Sequence, residues 1–221
     1  MKQDIVILGA GGSAGAIVDV INAINGVSRK WRLRGFLDDT PEKQGTTLFG
    51  APLLGLIESA ASMDDVIFVI GVASHRTPFG RADIATRLGF SAQRFATLIH
   101  PLACVSPTAT VGSGVLMFPF VVVSDNATVG NHAYLSSFCF VGHHATVGAA
   151  ATMAPRASLH GGSHLGASAY AGSHSALREG MTVGEGAVVG MGSIVLHDVP
   201  ARTTVTGNPA RPIIGKLVHH E

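Results

Sequence analysis

VGHHAT-VGAAAT-MAPRAS-LHGGSH-LGASAY, residues 141–170, reads in sixes. The same register runs from Val105 to Pro200 through sixteen units, without an insertion or a deletion. The first slot of each unit is aliphatic, with Ala171 the one exception. The fifth slot is small or thin, as at Ala127, Ala133, Cys139, Ala145, Ala151 and Ala157. Glycine often takes the second slot, as at Gly112, Gly130, Gly142 and Gly148. A period of six is neither the 3.6 of a helix nor the 2 of a plain strand. It is the signature of a β-solenoid, in which each six supplies one short strand and one corner. Three sixes close a triangular coil, with the aliphatic slot filling the prism and the small slot where walls converge. The corners call for residues that tolerate a tight backbone, hence Gly, Asn, Asp and Ser. Coils stack at roughly 4.8 Å, so a little over five of them make a prism about 25 Å tall. A β-sandwich with regular turns would place its strands at irregular spacing, which the unbroken register excludes.

The chain has 221 residues, 47% of them hydrophobic and 13% charged, with a net charge of +1. So apolar a surface implies that neighbouring subunits cover part of it. No basic run points to nucleic acid or to an anionic membrane. The longest apolar run, residues 115–123, is too short to span a bilayer and contains Pro119, so no membrane insertion is expected. The chain enters a strand almost at once, so no secretory leader is expected. Cys104 and Cys139 make no disulfide framework, and Cys139 sits in a small core slot. These features fit a reducing, cytoplasmic setting.

Residues 1–100 read as a small α/β, Rossmann-like domain. Strands are expected at 4–8, 33–37, 66–70 and 95–99, and helices at 16–25, 52–61 and 81–88. Strands alternating with helices imply a parallel sheet. Residues 101–200 form the repeat domain. The tail, 201–221, leaves the prism and ends in His219 and His220. The fold class is thus mainly β, a parallel β-helix preceded by a small α/β domain.

GAGGSAG, residues 9–15, lies between the first strand and the first helix. Glycines let backbone N–H groups approach a phosphate, and a helix N-terminus favours its charge. Asp38 and Asp39 follow the second strand, where a ribose-binding acid belongs. A dinucleotide dehydrogenase is disfavoured, because about four strands make only half of a doubly wound sheet. Half a sheet suits a mononucleotide, such as a nucleotide-linked sugar. A glycine turn that merely links strand to helix is the alternative. It is weakened by three loops, ending in Gly11, Asp38 and Gly71, that meet at one switch point.

Seven of the eleven histidines lie among the sixes. A related solenoid family, the γ-carbonic anhydrases, binds zinc with three histidines, and His160 with His164 keeps that reading open. A nucleotide-binding half sheet has no place in such an enzyme, so no metal is expected. His75 and His100 read as structural or surface histidines. Acyl transfer from a thioester needs a general base, usually His at neutral pH. The candidate is His143, the third slot of VGHHAT, which lies at a corner. Residues eighteen apart stack vertically, so Asp125 lies beneath His143 and Gly161 above it. Asn126 lies beneath His144 and Gly162 above it. A carboxylate one coil below would fix the imidazole tautomer and raise its basicity. A polar corner residue without chemistry is the alternative for His143.

GAGGSAG, FLDD (residues 36–39), FVIGVASHR (68–76), LIHP (98–101), the sixes and VTGNPAR (205–211) together resemble the sialic acid O-acetyltransferase (NeuD) family. Its members include acetyltransferases acting on nucleotide-linked 4-amino sugars. The resemblance covers nearly the whole chain. It implies a left-handed β-helix, a homotrimer, acetyl-CoA as co-substrate between adjacent prisms, and a nucleotide sugar in the sheet domain. It implies substrate-binding roles for Gly11, Gly12, Ser13, Asp38, Asp39 and Gly71. His143 is the implied catalytic residue, and acetyl-CoA is expected near Thr152, Ser173, Met191 and the turn Gly207, Asn208 and Pro209. Three positions depart from the family pattern. His144 stands where an acid is common, Ser13 where a His is common in the glycine loop, and Thr152 where a His is expected near the thioester. Asp125 is the expected substitute for the missing acid, and His144 belongs to the catalytic cluster. The function expected is N-acetylation of a nucleotide-linked amino sugar for surface glycan or polysaccharide. O-acetylation of sialic acid or a related sugar, and non-catalytic binding of a sugar nucleotide, are the alternatives.

Overall fold

A computed structural model describes residues 2–213. His219 and His220, and the end of the tail, lie outside the described residues. The chain begins with β1 (Gln3–Leu8), α1 (Ala14–Ser28) and β2 (Trp31–Leu37). A hairpin of β3 (Thr47–Leu48) and β4 (Ala51–Pro52) follows, then β5 (Ile67–Ile70) and α2 (Gly80–Leu88). The sheet is parallel, in the order β2-β1-β5. β1 is central and reads as a continuous apolar run because both of its faces are covered. Ile5, Ile7 and Val69 pack under α1 through Ile17 and Ile21, and Val6, Leu8 and Phe68 pack on the other face.

Two expected elements differ. Residues 52–61 were expected as a helix, but they begin in the hairpin strand β4 and continue into a 3-10 helix at Ile57–Ser62. Phe49 and Gly50 both have positive φ, the pattern of a tight hairpin turn. Gly55, at φ 137°, then redirects the chain. Residues 95–99 were expected as a fourth sheet strand, but the segment divides. Phe95 makes a single parallel bridge to Phe68. β6 (Leu98–Ile99) pairs with Leu116–Met117 and is the first rung of the prism. Sheet domain and prism are thus joined without a linker.

From β6 onward the strands pair eighteen residues apart in parallel register, as at Tyr134↔Thr152 and Phe140↔Ser158. The three walls hold six, five and eight strands. The docking wall runs from Leu98–Ile99 to Thr204–Thr206 and adds the antiparallel Arg211–Pro212 at its end. The apolar wall runs from Cys104–Val105 to Ile194–Val195, and the third wall from Thr110–Val111 to Thr182–Val183. First-slot and fifth-slot side chains fill the prism, including Met117, Leu135, Met153, Leu159, Ala145 and Ala151.

The corner chemistry is divided between two slots. From Gly114 to Gly192 every fourth-slot residue has a left-handed backbone, whether it is glycine or Phe120, His132, Ala150 or Arg156. The second-slot glycines are absent from that set. A Cβ on Gly148 would stand 2.5 Å from the Ala167 nitrogen, and one on Gly130 would stand 2.6 Å from the Ala149 nitrogen. Those glycines let successive coils touch. Among the described residues, no helix is long and apolar enough to cross a membrane.

Candidate active site

The carboxyl ends of β1, β2 and β5 carry the expected switch-point loops. Gly11 and Gly12 are exposed and face open space. Ser13 caps α1 by position, and its hydroxyl donates to the Gly71 carbonyl at 3.1 Å. No acid occupies the first turn of α1, so its N-terminus keeps a positive potential suited to a phosphate. The two acids are committed to the scaffold instead of standing free for a ribose. Asp38 accepts from the Ala10 N–H at 2.6 Å, the Thr40 N–H at 2.9 Å and Lys43 Nζ at 3.2 Å. Burial pushes the Asp38 carboxyl up, but hydrogen bonds from Thr40, the Ala10 N–H and Lys43 hold it below its ordinary value. Asp39 accepts from the Ile57 N–H at 2.8 Å and from Arg87 at 2.9 Å. Gly71 is a packing glycine, since a Cβ there would stand 2.8 Å from Ile17 Cδ1. Of the six expected substrate residues, Gly11 and Gly12 are exposed and Ser13 is half-buried beside them, whereas Asp38, Asp39 and Gly71 are engaged within the sheet domain.

The sheet domain lies on the docking wall. Leu98, Leu116, Phe118 and Tyr134 join the apolar cluster beneath α1. Arg81 of α2 crosses the junction. Its guanidinium donates to the carbonyls of His132 (2.9 Å), Ala150 (2.7 Å), Ala151 (3.0 Å) and Val72, and to the Thr152 hydroxyl at 2.6 Å. Burial lowers Arg81 to about 10, which still leaves it protonated at neutral pH. Thr152 is therefore buried against Arg81. Higher on the same wall a cavity of about 330 Å3 opens, lined by His75, Tyr170, Ser173, Met191, Thr204 and Thr206 among others. Two of the expected acetyl-CoA residues, Ser173 and Met191, meet here. Gly207, Asn208 and Pro209 form an exposed turn directly after Thr206.

His143 and His144 occupy the corner between the apolar wall and the third wall. Asp125 lies one coil below, as the spacing requires, and its carbonyl accepts the His144 N–H at 3.1 Å. Its carboxylate does not bond the imidazole. It accepts from Asn126 Nδ2 at 3.3 Å, while His143 Nδ1 stands 3.2 Å from His144 Nδ1. Above, Gly161 leaves room for the His143 ring, since a Cβ there would stand 2.5 Å from Cε1 and Nε2. His160 faces Glu179 at 3.7 Å. Among the described residues, no three His, Cys, Asp or Glu side chains are grouped to hold a metal. The glycine loop and the cavity share the docking-wall side of the prism. His143 lies on another edge, so one chain does not bring all the parts together.

Residues 4–85 match the family model of the PglD N-terminal domain. UDP-N-acetylbacillosamine N-acetyltransferase of Bacillus subtilis (strain 168) is 32% identical over 117 residues, which is 52% of this chain and 51% of that protein. The match thus spans about half the length of this curated relative. PerB from Caulobacter crescentus, solved with CoA and GDP-perosamine, superposes with a TM-score of 0.82 at 25% identity, covering 95% of this chain and 97% of that one. The acetyltransferase domain of PglB from Neisseria gonorrhoeae, solved with acetyl coenzyme A, gives 0.75 at 27% identity, covering 96% and 100%. WeeI from Acinetobacter baumannii gives 0.81 at 25% identity, again covering 96% and 100%.

Two residues of the site escaped the sequence reading. His75 read as a structural or surface histidine, yet it lines the cavity with its ring 5.7 Å from that of Tyr170. Arg81 entered the sequence reading only as the first residue of the helix expected at 81–88. It stands in the first turn of α2, close to Phe79, whose ring lies against Gly186 of the prism.

Proposed function

We propose that this protein is an acetyl-CoA-dependent N-acetyltransferase whose acceptor is the amine of a nucleotide-linked amino sugar, serving glycan or polysaccharide assembly. The observation that carries the reading is the superposition along nearly the whole chain on PerB bound to CoA and GDP-perosamine. The exposed glycine loop supplies a phosphate site, the cavity at Ser173 and Met191 suits part of acetyl-CoA, and His143 supplies the base. The amine nitrogen attacks the thioester carbonyl, His143 Nε2 takes its proton, the C–S bond breaks, and the thiolate receives the proton. One relative is a UDP-N-acetylbacillosamine N-acetyltransferase and another, PerB, holds GDP-perosamine, which favours an amine over the hydroxyl acceptor of a sialic acid O-acetyltransferase.

The chain works as a homotrimer in this reading. The cavity edge and the His143 edge border the same apolar wall, so a three-fold ring brings one chain's cavity to the next chain's base. Exposed Val122 and Phe140 on that wall, and Phe120 and Phe138 on its cavity edge, supply the apolar contact. A cytoplasmic setting suits the free Cys104 and Cys139. Release of free thiol from acetyl-CoA, measured with UDP-, GDP- and dTDP-linked amino sugars against matched hydroxyl sugars, tests the function. Turnover with the hydroxyl series alone would refute it.

A further inference from the structure

His143 and His144 occupy the third and fourth slots of one corner, and both backbones are clamped. The His144 N–H donates to the Asp125 carbonyl at 3.1 Å, and the His143 carbonyl accepts from the Gly162 N–H at 2.9 Å. The left-handed backbone of His144, at φ 57°, turns its ring beside that of its neighbour. The rings meet edge to face at 82°, with centroids 5.5 Å apart, and the two Nδ1 atoms are 3.2 Å apart. Two ring nitrogens at that distance bond only if one carries a proton and the other a lone pair. The Cε1–Nε2 edge of His143 packs against Gly161, where a Cβ would stand 2.5 Å from both atoms. The charged groups in this column are Asp125, bonded to Asn126, and Glu179, which faces His160. Among the described residues, neither carboxylate bonds the two rings.

We propose that His144 is the positioning residue of the base. Its Nδ1 lone pair accepts the Nδ1–H of His143, which keeps the His143 lone pair on Nε2. The proposal rests on the acetyl-transfer reading and gives that reading its missing activator. As the amine bonds to the thioester carbon, its proton moves to His143 Nε2. The imidazolium so formed keeps its Nδ1–H bond to neutral His144 until Nε2 returns the proton to the departing thiolate.

The test combines imidazole 15N shifts with pH–rate profiles for the full chain, His144→Ala and His144→Asp. Ala150 holds the same slot with φ 54°, so alanine at 144 is compatible with the fold. The wild type is expected to show the Nδ1–H form of His143, and His144→Ala to shift it toward Nε2–H. His144→Ala is expected to lose about tenfold or more in kcat with KM nearly unchanged. His144→Asp is expected to recover turnover and to move the acid limb to higher pH, because a carboxylate makes the base more basic. An unchanged tautomer or pH profile in His144→Ala would overturn the proposal. Wild-type protein that shows the tautomer change but moves no acetyl group to any amine would instead overturn the acetyl-transfer reading, and with it the role of base.

Discussion

Arg81 is a buried cation held by four carbonyls and one hydroxyl. Removing it would strand those acceptors at the junction of sheet and prism. Arg81→Ala is therefore expected to cost about 2–4 kcal/mol, read from denaturant midpoints. Arg81→Lys should recover part of that loss. His132 lies beside it, with its ring edge-on to Phe95 at 4.6 Å and its Nδ1 buried without a partner. Burial first, and then the Arg81 charge, hold this imidazole below its ordinary value. The folded chain therefore refuses a proton that the unfolded chain accepts. Stability from His132 is complete above about pH 6.5 and falls as pH drops from there toward the lowered folded value. His132→Asn, which tolerates the left-handed backbone, should flatten the drop in melting temperature between neutral and mildly acidic pH. An equal drop in both proteins would refute this account.

Individual coils depend on two kinds of glycine, and substitution separates them. Gly148 has an ordinary backbone but no space, so Gly148→Ala should force adjoining coils apart at a cost of about 1–3 kcal/mol. Gly180 has φ 71° and open space, so Gly180→Ala should cost about 1–2 kcal/mol through backbone strain alone. Gly180→Asn should recover most of that, as Asn126 holds φ 54° in the same slot, whereas Gly148→Asn should not help. Thermal melts of the four variants decide the matter. The coil is also the unit that fixes His143, because Gly161 and Asp125 belong to the coils above and below. In this geometry the Asp125 carboxylate is turned to Asn126, so Asp125→Asn should leave kcat nearly unchanged.

At the scale of the whole molecule, the free wall matters most. Phe120 and Phe138 stack with centroids 4.9 Å apart, and Arg156 lies over Phe138. These rings follow one prism edge at the outer side, where they fill no core. If that face joins copies, Phe138→Glu should convert the trimer to folded monomers in sedimentation and abolish acetyl transfer, since each site draws on two chains. A monomeric variant with full turnover would refute the shared site. Mixing Phe138→Glu with His143→Ala chains should restore little activity, since the first cannot assemble.

The six-residue register by itself determined the prism, its core slots and the vertical neighbours of His143. A strict repeat maps sequence distance onto height, so eighteen residues become one coil without further information. The glycine loop was legible for a similar reason, because strand, loop and helix are contiguous. Only the tertiary structure decided the rest. Asp38 and Asp39 looked free, but their carboxylates meet N–H groups and cations from other segments. Thr152 was expected near acetyl-CoA, and it lies buried where Arg81 reaches it from the sheet domain. β6 looked like a sheet strand until pairing gave it to the prism. Asp125 was expected to bond the His143 ring by spacing, but its carboxylate meets Asn126, and the His144 ring stands beside His143 instead. Period and local pattern reside in the chain, whereas side-chain partnership depends on which surfaces fold against each other.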